Sequence, residues 1–293
     1  FVQQNYRDFL SRLPDAGGFA FWTGQITECG SNQACIDARR IRVSNAFFFE
    51  GEFQQTGSYV MRLYRAAFGN SQPFPNPDLG DPAADFYPGQ DFRFKFPSYA
   101  VFSQDRAQVV GGDNLAQSQL ALANAFVQRP EFLAKYPAAL SGPTFINNLL
   151  ATITSVSGSD LSSQSATLNT LFNQGGRGLV LFHLANDYWH GCDRLPGAPA
   201  TPCVPPGLGP AVDNRPFIDA EYNLIFVATE YFGYLRRDGD LNGLNFWWVN
   251  QVNRSPLRDT GVQNAMVCSF ITSLEFQFRF LLIATHSNAE CPQ

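Results

Sequence analysis

Lysine is almost missing from this chain. Of the 20 lysines and arginines in its 293 residues, only Lys95 and Lys135 are lysines. Arginine's planar fork suits fixed hydrogen bonds better than a flexible ammonium does, but a biased genome gives the same skew and takes the larger share of the explanation. Charge of either sign is scarce: Asp, Glu, Lys and Arg together make up 15% of the residues, and the formal net charge is −5. That balance argues against a nucleic-acid partner, because phosphate neutralisation needs clustered cations. No apolar run of about 20 residues is uninterrupted, so no membrane-spanning helix is expected. C-x-x-C is absent, which leaves zinc-ribbon and thioredoxin chemistry without their spacing. G-x-S-x-G, P-loop and G-x-G-x-x-G are absent too, so nucleophile-elbow hydrolases and nucleotide enzymes find no support. Period-2 alternation of β-branched residues is hard to find, and we therefore expect an all-α fold.

What the chain does have is aromatic and apolar material. Hydrophobic residues make up 45% and aromatics 14%, with 28 Phe, enough for one large core or two ordinary ones. Much of the polar surface must come from Asn, Gln, Ser and Thr, and a sparsely charged surface favours association over repulsion. The six cysteines include two close pairs in loop-like sequence, Cys29 with Cys35 and Cys192 with Cys203; Cys268 with Cys291 follows by elimination. Disulfide pairing implies an oxidising compartment: extracellular, cell surface or periplasm. The chain opens on F-V-Q-Q-N-Y, a helix already under way. With no signal peptide, it reads as a chain whose leader was removed or as a fragment of a longer one.

A repeat organises the sequence. Phe1 to Trp22, "FVQQNYRDFLSRLPDAGGFAFW", aligns with Phe226 to Trp247, "FVATEYFGYLRRDGDLNGLNFW", keeping Tyr6/Tyr231, Leu10/Leu235, Arg12/Arg237, Asp15/Asp240, Gly18/Gly243 and Trp22/Trp247. Weaker echoes lie at Tyr59 to Phe68 and Phe145 to Leu150. Closing segments ending in Glu and an aromatic recur at Asn45 to Phe53, Asn124 to Phe132, Cys268 to Phe276 and, more weakly, Phe217 to Tyr222. We expect about four helix-turn-helix modules, at 1–56, 57–137, 143–225 and 226–284, followed by a tail at 285–293. A division into 1–137 and 143–284, near Pro137 to Pro143, is one of two options, the other being a single body. In the opening unit Phe1, Val2, Tyr6, Phe9 and Leu10 share one helical face. Asp15 is placed to cap a second helix carrying Phe21 and Trp22.

Two long insertions, 69–97 and 188–216, interrupt the array. Phe74, Phe86, Tyr87, Phe92, Phe94 and Phe96 make the first too apolar for a free linker; it should pack on the body or on a neighbour, and we take these six as an expected interface.

The motifs Y-x-x-x-L-x-R-x-x-D-x-x-G-x-x-x-W at Tyr6 to Trp22 and Tyr231 to Trp247, with the E-F closing segments, resemble the bacterial family known as domain of unknown function 4214. That family is similar to phycobilisome linker domains. The resemblance covers most of the helical modules and neither insertion; the two middle modules lack the D-x-x-G turn and its Trp. It implies an extracellular helical domain with scaffolding or linking roles and no catalytic residues.

Three candidate sites stand against plain structural roles. In D-G-D-L-N-G, Asp238, Asp240 and Asn242 would be calcium ligands one, three and five of an EF-hand-like loop, but position twelve is Val249. Only the cap and the glycine recur in the first copy, so the shared role is a turn; calcium is the one cofactor weighed. His183, Asp187 and His190 are spaced for a metal on one helical face, as in a metal-dependent hydrolase, although Gly191 and the prolines after it should end the helix there. Trp22 and Trp247, beside Phe21 and Phe246, read as core, and Arg12 and Arg237 as buried partners of Glu52 and Glu275. The reading that follows is a secreted, non-enzymatic protein whose partners are proteins, a subunit of a surface layer, filament or scaffold. An accessory or linker subunit of a periplasmic or membrane-associated complex is the first alternative, and a metal-dependent hydrolase the second.

Overall fold

The computed structural model describes residues 1–49, 51–73, 95–189, 202–280 and 291. All regular structure among them is helical, which establishes the all-α class. The chain divides into two compact units, Phe1–Phe53 with Asn223–Gln293, and Gln54–Tyr222. The first and last modules thus share one unit. The stretch 137–143 lies inside the other unit, where Arg177 fastens it by donating to the carbonyls of Tyr136 (2.6 Å) and Pro137 (2.7 Å).

In the discontinuous unit, α1 (Val2–Leu10), α2 (Ala16–Thr27) and α3 (Gln33–Phe49) come from one end of the chain. From the other end come the last residues of α11 (Arg215–Glu230), which runs on into a π-helical turn at Tyr231–Leu235. Then follow α12 (Leu241–Leu244), continued by a second π-helical turn at Asn245–Gln251, α13 (Thr260–Ile271) and α14 (Leu274–Phe278). α1 buries Val2, Tyr6, Phe9 and Leu10 at helical spacing, as expected, while Phe1 stays 38% exposed. Aromatic edges fill this core: Phe9 meets Phe53 and Tyr234, and Phe48 meets Phe226. Such edge-to-face pairs add about 0.5–1.5 kcal/mol each beyond their area.

Both copies of the repeated motif close their turn in the same way. Ser11 and Arg236 end their helices in the left-handed conformation, at φ 53° and 55°. Asp15 and Asp240 then each accept from the amide three residues on, Gly18 and Gly243, at 2.8 Å. A Cβ on Gly18 would fall on the Tyr6 hydroxyl and one on Gly243 on the Tyr231 hydroxyl, which is why the motif keeps Tyr and Gly together. Tyr6 packs edge-on against Phe47 (4.9 Å) and Tyr231 against Phe270 (4.8 Å), residues that occupy matching positions in the closing segments.

The continuous unit is built round α5 (Gly57–Phe68), whose twelve residues are all buried, Arg62 and Arg65 included. α6 (Tyr99–Arg106) and α9 (Gly142–Ser157) pack on α5, and α10 (Ser165–Ala185) packs on α5, α7 (Leu115–Phe126) and α9. α8 (Pro130–Lys135) supplies Phe132 to a continuous run of rings through Phe68, Phe126, Phe132, Tyr136 and Phe145. Arg65 is saturated by a forked pairing with Glu221 and by the Gly69 carbonyl, Asn70 and the Lys95 carbonyl. α10 is kinked at Gly175–Gly176, where Gly176 takes φ 69°.

Cys29 is bonded to Cys35 and Cys268 to Cys291. Cys203 is also disulfide-bonded, and Cys192 lies outside the described residues.

Candidate functional site

The second helix of each repeated unit is the feature the core does not explain. α2 reads A-G-G-F-A-F-W-T-G-Q-I-T, yet none of its residues is buried. Phe19 is 43% and Phe21 58% exposed, and Leu13, in the turn before them, is 57% exposed. The counterpart in the second copy behaves alike: Asn245–Gln251, N-F-W-W-V-N-Q, has no buried residue, and Phe246 is 49% exposed. Trp22 and Trp247, expected as core, are only half-buried. The tryptophans lean inward, Trp22 onto Phe47 and Trp247 onto Phe270, but each phenylalanine packs edge-on against its neighbouring indole at 4.9 Å and faces out. Leu274 and Phe278 of α14 add two more outward apolar groups, 64% and 61% exposed. Scattered apolar side chains are ordinary on a surface; a repeated helix that turns a phenylalanine outward in both copies is not.

The Arg–Glu pairs form as expected but are not buried. Arg12 forks onto Glu52 at 2.7 and 2.6 Å, and Arg237 onto Glu275 at 2.5 and 2.8 Å. Their side chains remain a quarter to nearly a half exposed, so they set register more than stability.

The calcium candidates are arranged as a capped turn. One Asp240 oxygen holds the Gly243 amide, and the other faces the Arg237 guanidinium at 3.6 Å, a cation where calcium would need more oxygen. The Asp238 carbonyl accepts from Arg237 at 2.7 Å, and Asn242 points to solvent. Among the described residues no group of three His, Cys, Asp or Glu is gathered for a metal.

H-L-A-N-D-Y-W-H turns out to be a helix terminus. α10 stops at Ala185, so Asp187 lies past the helix and off the expected face; His190 lies outside the described residues. The carbonyls that end α10 are taken up one by one. Arg62 donates to Ala185 (2.7 Å), and Asn214 donates to His183, Leu184 and Asn186 (3.3, 2.8 and 2.7 Å). His183 Nε2 donates to the Leu208 carbonyl at 2.7 Å. Burial pushes the imidazole down to about 4 and the Arg62 guanidinium down to about 10. His183 is therefore neutral at physiological pH and tied to a loop.

One titratable group escaped the sequence. Glu230 is fully buried, and neither carboxyl oxygen has a hydrogen-bond partner. Burial holds its pKa well above the ordinary 4.5. It is one turn from Tyr234, whose hydroxyl lies 2.5 Å from Ser44 Oγ and whose own pKa burial also raises. Its counterpart in the first copy is Asn5, so aligning the copies exposes a carboxyl where the other has a neutral amide. Closed off from solvent, this acid can reach no substrate in the state described.

Of the expected interface residues, Phe74, Phe86, Tyr87, Phe92 and Phe94 lie outside the described residues. Phe96 is 2% exposed within the chain, in keeping with an insertion that packs on the body. No protein-family model matches the chain, and no curated protein or solved structure is similar to it.

Proposed function

We propose that this chain is a non-enzymatic subunit of an extracellular or cell-surface assembly, joined to further copies of itself through α2 and its counterpart at Asn245–Gln251. The observation that carries this reading is a pair of matched apolar helices, neither with a buried residue. Low charge supports it, since a surface with few ions offers little repulsion between copies. Two copies of one apolar surface on a single unit make it bivalent, and a contact that does not close on itself propagates into a polymer. The disulfides and the resemblance of the repeated motifs to secreted linker-like domains support a location outside the cytoplasm. His183 and Arg62 are tied to backbone carbonyls and Glu230 is sealed from solvent, and this favours association over catalysis.

Sedimentation velocity over a concentration series tests the reading. Wild-type protein is expected to form species larger than one chain, and the double variant Phe21→Ser/Phe246→Ser to sediment as single chains with unchanged helical circular dichroism. A wild type that stays at the mass of one chain throughout would overturn it.

A further inference from the structure

On the discontinuous unit, Gln4, Arg7, Leu235, Arg236, Arg279 and Phe280 line a groove of about 410 Å³. Behind the lining Asp8, its side chain 2% exposed, accepts from Gln4 at 2.8 Å, from Arg236 at 2.5 Å and from Arg279 at 2.9 Å. One carboxylate thus faces two guanidiniums, while Arg7 is exposed and, among the described residues, has neither hydrogen bond nor ion pair. Two positive charges are left without a counter-charge among the lining residues. That is conspicuous in a chain of net charge −5 with so few cations.

The bland explanation is an ionic clamp holding α1, the π-helical turn and the end of α14 together. It accounts for Asp8, Gln4 and Arg279, the last also donating to the Gly233 and Tyr234 carbonyls. It accounts for Arg236 too, which donates to Asp8, but not for Arg7, which has neither hydrogen bond nor ion pair among the described residues. Arg236 holds a left-handed backbone that favours Gly or Asn, and it is 48% exposed. Nor does the shared fold require the cluster. In the first copy of the repeat the positions matching Arg236 and Arg279 are Ser11 and Thr56, and in the second copy those matching Gln4, Arg7 and Asp8 are Thr229, Phe232 and Gly233. The motif closes its turn equally well without any of these charges.

We propose that this groove binds a dianionic oxyanion, a phosphate group. Guanidinium forks match such oxygens in pairs, and the low net charge elsewhere leaves this as a local positive field. The groove is larger than an inorganic ion needs, and Leu235 and Phe280 flank the arginines, so it has room for an apolar body attached to the anion. The proposal is independent of self-association through α2.

Isothermal titration calorimetry of the intact protein at pH 8 and constant ionic strength, with sodium phosphate and with phenyl phosphate, tests it. Both probes are largely dianionic there, since the second ionisation lies at about 6 for a phosphomonoester and roughly a unit higher for inorganic phosphate. Saturable binding is expected, weakened about tenfold by Arg7→Gln and again by Arg236→Asn, a residue that tolerates the left-handed backbone. Binding should also fall at pH 5, where the dianion is lost. Tighter binding of phenyl phosphate would identify a phosphomonoester as the source; equal binding would identify the inorganic ion. No saturable heat with either probe, or binding that Arg7→Gln leaves unchanged, would overturn the assignment. Arg7 has no structural partner, so that variant stays interpretable even if Arg236→Asn fails to fold.

Discussion

The repeated motif is a set of contacts made by single residues. Tyr231 occupies the space a side chain on Gly243 would need, so Gly243→Ala is expected to cost on the order of 1–3 kcal/mol in denaturant unfolding. Tyr231→Phe removes the obstructing hydroxyl, and the double variant should recover part of that loss; a strictly additive cycle would show that the contact is not the reason for the glycine. The capped turn was legible in the sequence because Asp, Gly, Tyr and Trp recur at fixed spacing. Glu230 was not, because a single glutamate in a helical pattern looks like any solvated one until three-dimensional packing closes over it. Its consequence is a pH dependence. With the folded pKa held above 4.5 by burial, the unfolded chain releases a proton that the folded chain keeps, so stability falls as pH rises above about 4.5. His183 acts in the other direction: lowered to about 4, it stays neutral in the fold and costs stability as pH falls from about 6.5 towards 4, on the order of 3 kcal/mol. Urea melts from pH 4 to 9 should show Glu230→Gln flattening the alkaline slope and His183→Gln the acid one. Variants that leave both slopes as in wild type would contradict the buried, neutral assignments.

At the scale of elements, amphipathic helices such as α1 were readable from their periodicity. α5 was legible only as an echo of the opening unit, because a helix buried on every side shows no polar face and its two arginines suggest a surface. Those arginines are fixed to carbonyls and to Glu221, so the near-absence of lysine has a structural side that genome bias alone does not supply. The histidine-containing segment misled for a related reason: spacing was read as one helical face, but the helix stops two residues before Asp187. Removing its principal cap, Asn214→Ala, would leave three terminal carbonyls short of a donor, a loss of about 2–3 kcal/mol by thermal or urea unfolding. The disulfides close loops of different length, 6 residues for Cys29–Cys35 and 23 for Cys268–Cys291. On chain entropy their replacement by serine pairs should cost about 2 and about 3 kcal/mol respectively. A reversed order would show that native packing, not the unfolded chain, sets their worth.

For the whole molecule, a feature that alignment of the two ends could only hint at is that the first and last copies of the motif belong to one compact unit. Pairing of distant segments is invisible to periodicity, which reports each helix's own face and not its partner. The same limit hid the exposed helices: an apolar sequence predicts burial, and only the packed structure shows that α2 and its counterpart lack a covering surface within the described chain. Apolar surface presented twice on one unit, with little charge to keep copies apart, is the ground for the proposed assembly. The most direct measurement is negative-stain electron microscopy of native material, compared with purified Phe21→Ser/Phe246→Ser protein. Ordered filaments or sheets from the wild type and isolated particles from the variant are the expected result. Isolated particles of one chain's mass in both would contradict the claim that this protein works by association.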